Sequence, residues 1–274
     1  MMKKLFYLGL CFALFIGCNK DDDNKLVVGK DFTEKEVSGL SFDMVYVKGG
    51  TFRMGATEEQ GEDVYDREKP VHLVTLSDYY MGKYEVTQEL WEAVMGTTLE
   101  EQRDKKDKDG ALRGQGSDYP MYYVNWEEAQ AFVKKLSDLT GRNYILPTEA
   151  QWEYAARGGV KSKGYKYSGS NEIDDVAWYS GNAKSSTHPV GTKSPNELGI
   201  YDMSGNVWEW CSDWFGEYSD AAQTDPVGPV SGSDRVYRGG SWNGSARNCR
   251  VSYRYLNYPS HRSNSLGFRV ALLP

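Results

Sequence analysis

The strongest constraint on this chain lies after residue 160. From there the sequence is dominated by Gly, Ser, Asn, Pro and aromatic residues, with few long periodic stretches. A segment without helical or strand periodicity is built from loops and short strands. Ordering such a segment costs backbone entropy with few ladder hydrogen bonds in return, so something must staple it. A bound ion, a disulfide or dense aromatic packing would serve. The 20 Tyr and 8 Trp suit the last, because each ring can bury its face and hydrogen-bond its tip. The same residues also suit binding surfaces.

The first half is more regular. Met44–Val47, then Gly49–Gly55, reads as a strand and turn bounded by glycines, and a second strand is expected over Val71–Leu76. Thr87–Gly96 has the form of a short helix with a Thr cap and a terminal Gly. Residues 100–118 are charged and Gly-rich, and read as a surface loop. Trp126, Ala129, Phe132, Val133, Leu136 and Leu139 recur at helical spacing, with Asn125 as N-cap and Gly141 as stop. A third helix starts at Thr148, where Thr148 and Gln151 have capping-box spacing, and ends near Gly158 and Gly159. No repeat or second linker interrupts the chain, so one domain is expected over residues 38–274.

The N-terminus reads as an address. Lys3 and Lys4 precede an apolar run, Leu5–Gly17, too short to span a bilayer comfortably. Gly17-Cys18 fits a lipoprotein signal: cleavage of residues 1–17 and lipid on Cys18. The acidic run Asp21-Asp22-Asp23 is similar to a surface-export signal of some Gram-negative lipoproteins, and 18–37 reads as a flexible tether. The expected location is the outer membrane, facing outward, with a membrane partner through the lipid. Removing Lys3 and Lys4 with the signal takes the net charge from −7 to −9, which argues against nucleic acid as a partner. His72, His188 and His261 are far apart, so a histidine-rich metal site is not expected.

Seven segments, taken together and in order, resemble the formylglycine-generating enzyme (sulfatase-modifying factor) family. They are Gly49–Gly55, Tyr84–Thr87, Pro120–Trp126, Leu146–Ala155, Gly199–Trp210, Arg238–Trp242 and Leu266–Arg269. The resemblance implies an α+β, C-type-lectin-like fold with few regular elements. It also implies a copper(I)-dependent oxidation of a substrate cysteine, carried by two cysteines five residues apart after the Gly-Gly-Ser-aromatic motif. Here that motif is Gly239–Trp242, the first cysteine position holds Gly244 and the second holds Cys249. One copper ligand is therefore missing, and copper is not expected. Ser241 and Trp208 match positions lining the family's active cleft; Trp208 reads equally as a core ring, and Arg269 as half of a buried ion pair.

With Cys11 removed and Cys18 lipidated, Cys211 and Cys249 remain. In an oxidising compartment they most simply pair, which would constrain the unfolded chain by roughly 4 kcal/mol. The other reading is a free, reactive Cys249. The resemblance also implies a calcium site at Asp202, Gly205, Val207 and Glu209, built from side-chain oxygens and backbone carbonyls. The alternative there is that Asp202 caps a turn and Glu209 pairs with an arginine.

Between Trp242 and Gly267 lies a run rich in Asn, Ser, Tyr and His. It includes Asn243, Ser245, Asn248, Tyr253, Tyr255, Tyr258 and His261. Binding loops use such residues: rigid amphipathic rings beside adaptable hydrogen-bonding groups. With Trp208 and Trp242 they form the expected ligand-binding set. The run is similar to one that lectin-like relatives diversify by retroelements, although Asn-rich loops are also usual in the family. Three functions follow as expectations: a non-catalytic surface binder of a ligand or protein, an oxidoreductase acting on an exported sulfatase, or a structural part of a surface assembly.

Overall fold

The computed structural model describes residue 26 and residues 28–274. The signal segment 1–17, Cys18 and the acidic run that follows lie outside the described residues.

In chain order the elements are strands β1 (Phe32–Val37), β2 (Leu40–Val47), β3 (Gly50–Met54), β4 (His72–Leu76) and β5 (Tyr79–Gly82), helices α1 (Gln88–Met95), α2 (Leu99–Asp104) and α3 (Trp126–Thr140), strand β6 (Tyr144–Ile145) and helix α4 (Glu149–Ala156). A short α5 (Ile173–Val176) follows, then β7 (Trp208–Trp214), β8 (Gln223–Thr224), β9 (Arg235–Arg238), β10 (Arg254–Asn257), β11 (Leu266–Gly267) and β12 (Ala271–Leu272). The strands form a five-stranded sheet ordered β1-β2-β5-β12-β6, a four-stranded sheet β10-β9-β7-β11 and a three-stranded sheet β3-β4-β8. The fold is α+β and loop-rich, as expected.

The helices start and stop where the sequence places caps. Thr87, Asn125 and Thr148 each accept a backbone N–H at the third position of their helix, and Gly96 and Gly141 close α1 and α3 in the left-handed conformation. Two elements depart from the sequence reading. Strand β1 lies in the stretch read as tether and pairs with β2. It was hidden because its register shifts between Glu34 and Val37, and because its buried residues include the charged Glu34. Glu34 accepts hydrogen bonds from Arg142 Nε at 2.8 Å and the Tyr144 hydroxyl at 2.9 Å. Helix α2 lies within the charged segment read as a loop. It buries only Leu99 and Gln102, so it has no apolar period to detect, yet its Thr98–Glu101 capping box is complete.

Two cores hold the sheets. In the first, α1 and α3 pack on the five-stranded sheet, with Trp91 stacked on Phe132 at 5.6 Å and both edge-to-face with Phe268. In the second, α4 lies wholly buried among strands from all three sheets.

The loops are stapled by buried arginines. Arg250 forks onto Glu68 (2.7 and 2.8 Å), Arg254 onto Glu149 (2.7 and 2.6 Å) and Arg269 onto Glu209 (2.6 and 2.7 Å). Arg238 pairs with Glu153 and also donates to the carbonyls of Val251 and Ser252. All four guanidinium residues are at most 1% exposed. Removing one partner of such a pair strands a buried charge. We therefore expect Arg269→Met to lower folding stability by about 3–5 kcal/mol, read as a fall in the denaturant midpoint. The exposed pair Lys134–Asp138 serves as control, with Lys134→Met expected to cost about 0.5 kcal/mol or less.

Candidate functional site

The turn that carries the family-like residues 202–209 is built on left-handed backbone. Asp202, Gly205 and Asn206 all have positive φ. Only Gly fits at 205, since a Cβ there would sit 2.4 Å from the Trp178 carbonyl oxygen. Asp202 Oδ2 accepts the Gly191 N–H at 2.7 Å. Glu209 spends its carboxylate on Arg269 and on Trp152 Nε1, which donates at 2.7 Å. Of the alternatives left by the sequence, the arginine pair of Glu209 is present, while Asp202 bonds to the separate loop at Gly191 rather than capping its own turn.

A third carboxylate, Glu85, was missed in the sequence because it stands far from this turn in the chain. It is buried and accepts from Val207 N and Asn206 Nδ2. Burial, with the charges of Asp202 and Glu209 added, holds the Glu85 carboxyl well above its usual range, and burial raises Asp202 to about 6. Three carboxylates thus face one guanidinium. Among the described residues, however, no three His, Cys, Asp or Glu side chains form a group arranged to hold a metal.

The cysteine positions are inert. The expected disulfide between Cys211 and Cys249 is absent: both are free thiols. The reason is placement. Cys211 lies on β7 in the second core, whereas Cys249 packs with Tyr167 and Val176 in a separate cluster. Cys249 is fully buried under the Gly239–Gly240 turn, where a Cβ on Gly240 would come within 2.7 Å of its sulfur. Burial pushes its thiol up to about 12, and burial also holds the Cys211 thiol well above its ordinary value. Ser241 is likewise fully buried, its hydroxyl donating to Asn243 Oδ1 at 2.7 Å. One protonated, buried thiol does not fit copper(I), which wants thiolates.

The aromatic window divides. Trp208 contacts Tyr253 and Tyr255, which lie parallel at 6.3 Å, and packs edge-to-face with Tyr237 at 5.1 Å. Trp242 is buried and donates through Nε1 to the Asn264 carbonyl. Asn248 accepts from the Ser245 backbone and hydroxyl, closing a short turn. Asn243 and Ser245 are exposed on this loop, and Tyr258 and His261 pack on each other after β10.

Three residues that the sequence reading missed complete the face. Arg67 lies 4.5 Å from the ring centres of Tyr65 and Tyr255 and 5.0 Å from that of Tyr253, whose hydroxyl accepts from Arg67 Nη2 at 2.7 Å. Arg247 stacks on Tyr65 at 3.6 Å. Tyr65 and Arg67 sit in a charged turn with no periodicity, so nothing local in the sequence joins them to Tyr253. The result is a cation–aromatic surface with Tyr255 at its exposed edge.

With this geometry in hand, comparison with known proteins is decisive. The profile of the Sulfatase-modifying factor enzyme 1-like domain matches residues 30–273. The chain belongs to that family. It is similar to Chaperone protein LppX of Paenibacillus barcinonensis, with 33% identity covering 78% of this chain and 83% of the relative. It is also similar to the formylglycine-generating enzyme of Thermomonospora curvata, with 30% identity covering 89% of this chain and 98% of the enzyme. Among solved structures it resembles Treponema denticola variable protein 1, with 34% identity, a TM-score of 0.77, and coverage of 89% and 99%.

For this family member we expect both Cys211 and Cys249 to be alkylated without reductant once the chain is unfolded. In the native state at neutral pH, Cys249 should react slowly, since a rise from 9.0 to about 12 leaves roughly a thousandfold less thiolate. Peptide mass mapping under the two conditions checks this.

Proposed function

We propose that this chain is a non-catalytic, envelope-anchored binding protein that presents the Trp208–Tyr253–Tyr255–Arg67 face to a ligand or protein partner. One observation carries the reading: the position of the paired copper cysteine holds Gly244, and the remaining Cys249 is buried and protonated. Nothing at the expected cleft can then act as a thiolate nucleophile or soft metal ligand. The cation–aromatic surface supports binding in its place, because Tyr, Trp and Arg dominate contact energetics at interfaces. The likeness to a protein named for variability, Treponema denticola variable protein 1, supports the same reading. The lipoprotein anchor at Cys18 and the outer-membrane location belong to this proposal and rest on the N-terminal sequence.

Incubation of the chain with copper(I) and a sulfatase-type cysteine peptide should leave the peptide mass unchanged, where the formylglycine-generating enzyme of Thermomonospora curvata would convert it. Formation of the aldehyde product would overturn the proposal. Against panels of purified exported proteins and glycans, a bound partner should lose about tenfold or more in affinity with Tyr255→Ala, at unchanged melting temperature.

Calcium belongs to the same proposal. The three-to-one excess of buried carboxylate over guanidinium at Glu85, Asp202, Glu209 and Arg269 favours a cation there. Asp202 with the carbonyls of Gly205 and Val207 would hold it, and its charge would fix the turn. Because the carboxyl of Asp202 is raised in the folded state, the folded chain binds more protons than the unfolded one. Stability from this group is present below the ordinary carboxylate value and is lost as pH rises toward about 6. Thermal melts between about pH 4 and 7 should show this fall in chelator and a flatter profile in calcium, with a gain of roughly 2–4 °C per kcal/mol of binding. Identical melts with and without calcium would remove the ion from the reading.

A further inference from the structure

We propose that the cavity beneath the loop 216–230 is a binding site for a small organic ammonium or guanidinium group attached to an apolar body. The cavity holds about 320 Å³, near the lower end of the range for small-molecule sites. His72, Glu149, Asp213, Trp214 and Arg254 line it, and Val227 stands at its rim, 69% exposed.

Its polar groups are acceptors left over after the internal bonds are made. His72 is 4% exposed, and its Nδ1 lies 3.1 Å from the Pro70 carbonyl oxygen. That oxygen can only accept, so Nδ1 carries a proton, and in the tautomer protonated at Nδ1 alone Nε2 offers a lone pair. Nε2 has no protein hydrogen-bond partner among the described residues, and His72 is one of the residues that line the cavity. Asp213 is also 4% exposed. It accepts the Glu149 N–H and the Ser212 hydroxyl at 2.9 Å each, both on Oδ2, leaving Oδ1 without a protein donor.

Arg254 does not meet this demand. Its Nε and Nη2 are committed to Glu149, and Nη1 donates to the Gly216 carbonyl at 2.8 Å. Burial beside the Glu149 carboxylate raises Asp213 to about 7, with Arg254 acting in the opposite direction. His72 Nε2 and Asp213 Oδ1 are both open to the cavity, and a charged N–H donor placed there makes stronger hydrogen bonds to them than a neutral one. Trp214, whose ring also carries the Arg235 guanidinium at 3.4 Å, and Val227 at the rim give the ligand's body apolar contact.

The test uses the whole purified chain, phenethylammonium as probe and 2-phenylethanol as its uncharged match, titrated at pH 8 by calorimetry or protein-observed NMR. We expect saturable binding of the amine at one site and at least roughly tenfold weaker binding of the alcohol. Asp213→Asn should weaken the amine by a similar factor. Because that residue also holds the Glu149 N–H, a second variant guards against misfolding: Val227→Arg sets a fixed cation at the exposed rim and should abolish amine binding at unchanged melting temperature. Equal affinity for amine and alcohol, absence of saturable amine binding, or amine binding unmoved in Val227→Arg would each overturn the proposal. Loss of partner binding in Tyr255→Ala should leave amine affinity unchanged, which separates this site from the Trp208 face.

Discussion

The buried guanidinium–carboxylate forks are what the rest of this structure depends on. Half the chain lacks periodic patterning, and no disulfide crosses it. Arg250, Arg254 and Arg269, each donating two N–H groups to one carboxylate, join segments far apart in sequence: 250 to 68, 254 to 149, 269 to 209. Arg254 and Arg269 use further N–H groups to reach backbone carbonyls of Gly216, Gly82 and Tyr201. A planar fork satisfies several backbone acceptors at once, which a lysine could not do. This is how loops can be buried without orphaning their carbonyls.

The same device accounts for two cysteines that are buried and unlinked. With the irregular half stapled by arginines, neither thiol is needed as a crosslink. Each has been drawn into a hydrophobic cluster, Cys211 beside Trp152 and Cys249 beside Tyr167. Burial there favours the neutral thiol. An active cysteine pair needs the opposite environment, partly open and electropositive.

The sequence made the helices and their ends legible, because caps at Thr87, Asn125 and Thr148 and glycines at 96 and 141 are local chemistry. Arg269 was readable as half of a buried ion pair from its place in the family-like segment Leu266–Arg269. The other staples were not legible. Arg67, Glu85 and Glu34 find their partners across long sequence separations, and no spacing rule encodes such a meeting. The disulfide expectation failed at this point, since counting cysteines says nothing of whether two thiols share a core. Strand β1 escaped for a similar reason. Its bulge breaks the alternation, and its buried charge makes sense only once Arg142 and Tyr144 are beside it.

The charge balance of the buried network now separates structure from function. Where each carboxylate meets a guanidinium fork, as at Glu68 and Arg250, the acid is held below its ordinary range chiefly by Arg250 and Ser252 acting against burial. Such pairs are complete and need no ligand. Two places are not complete. Glu85 and Asp202 exceed what Arg269 can neutralise, and Asp213 shares its neighbourhood with a Glu149 already committed to Arg254; in both, the acids are raised rather than lowered. Among the described residues these two places, a turn and a cavity wall, hold acids that burial raises. The calcium ion and the organic cation proposed above would each supply positive charge at one of these two places.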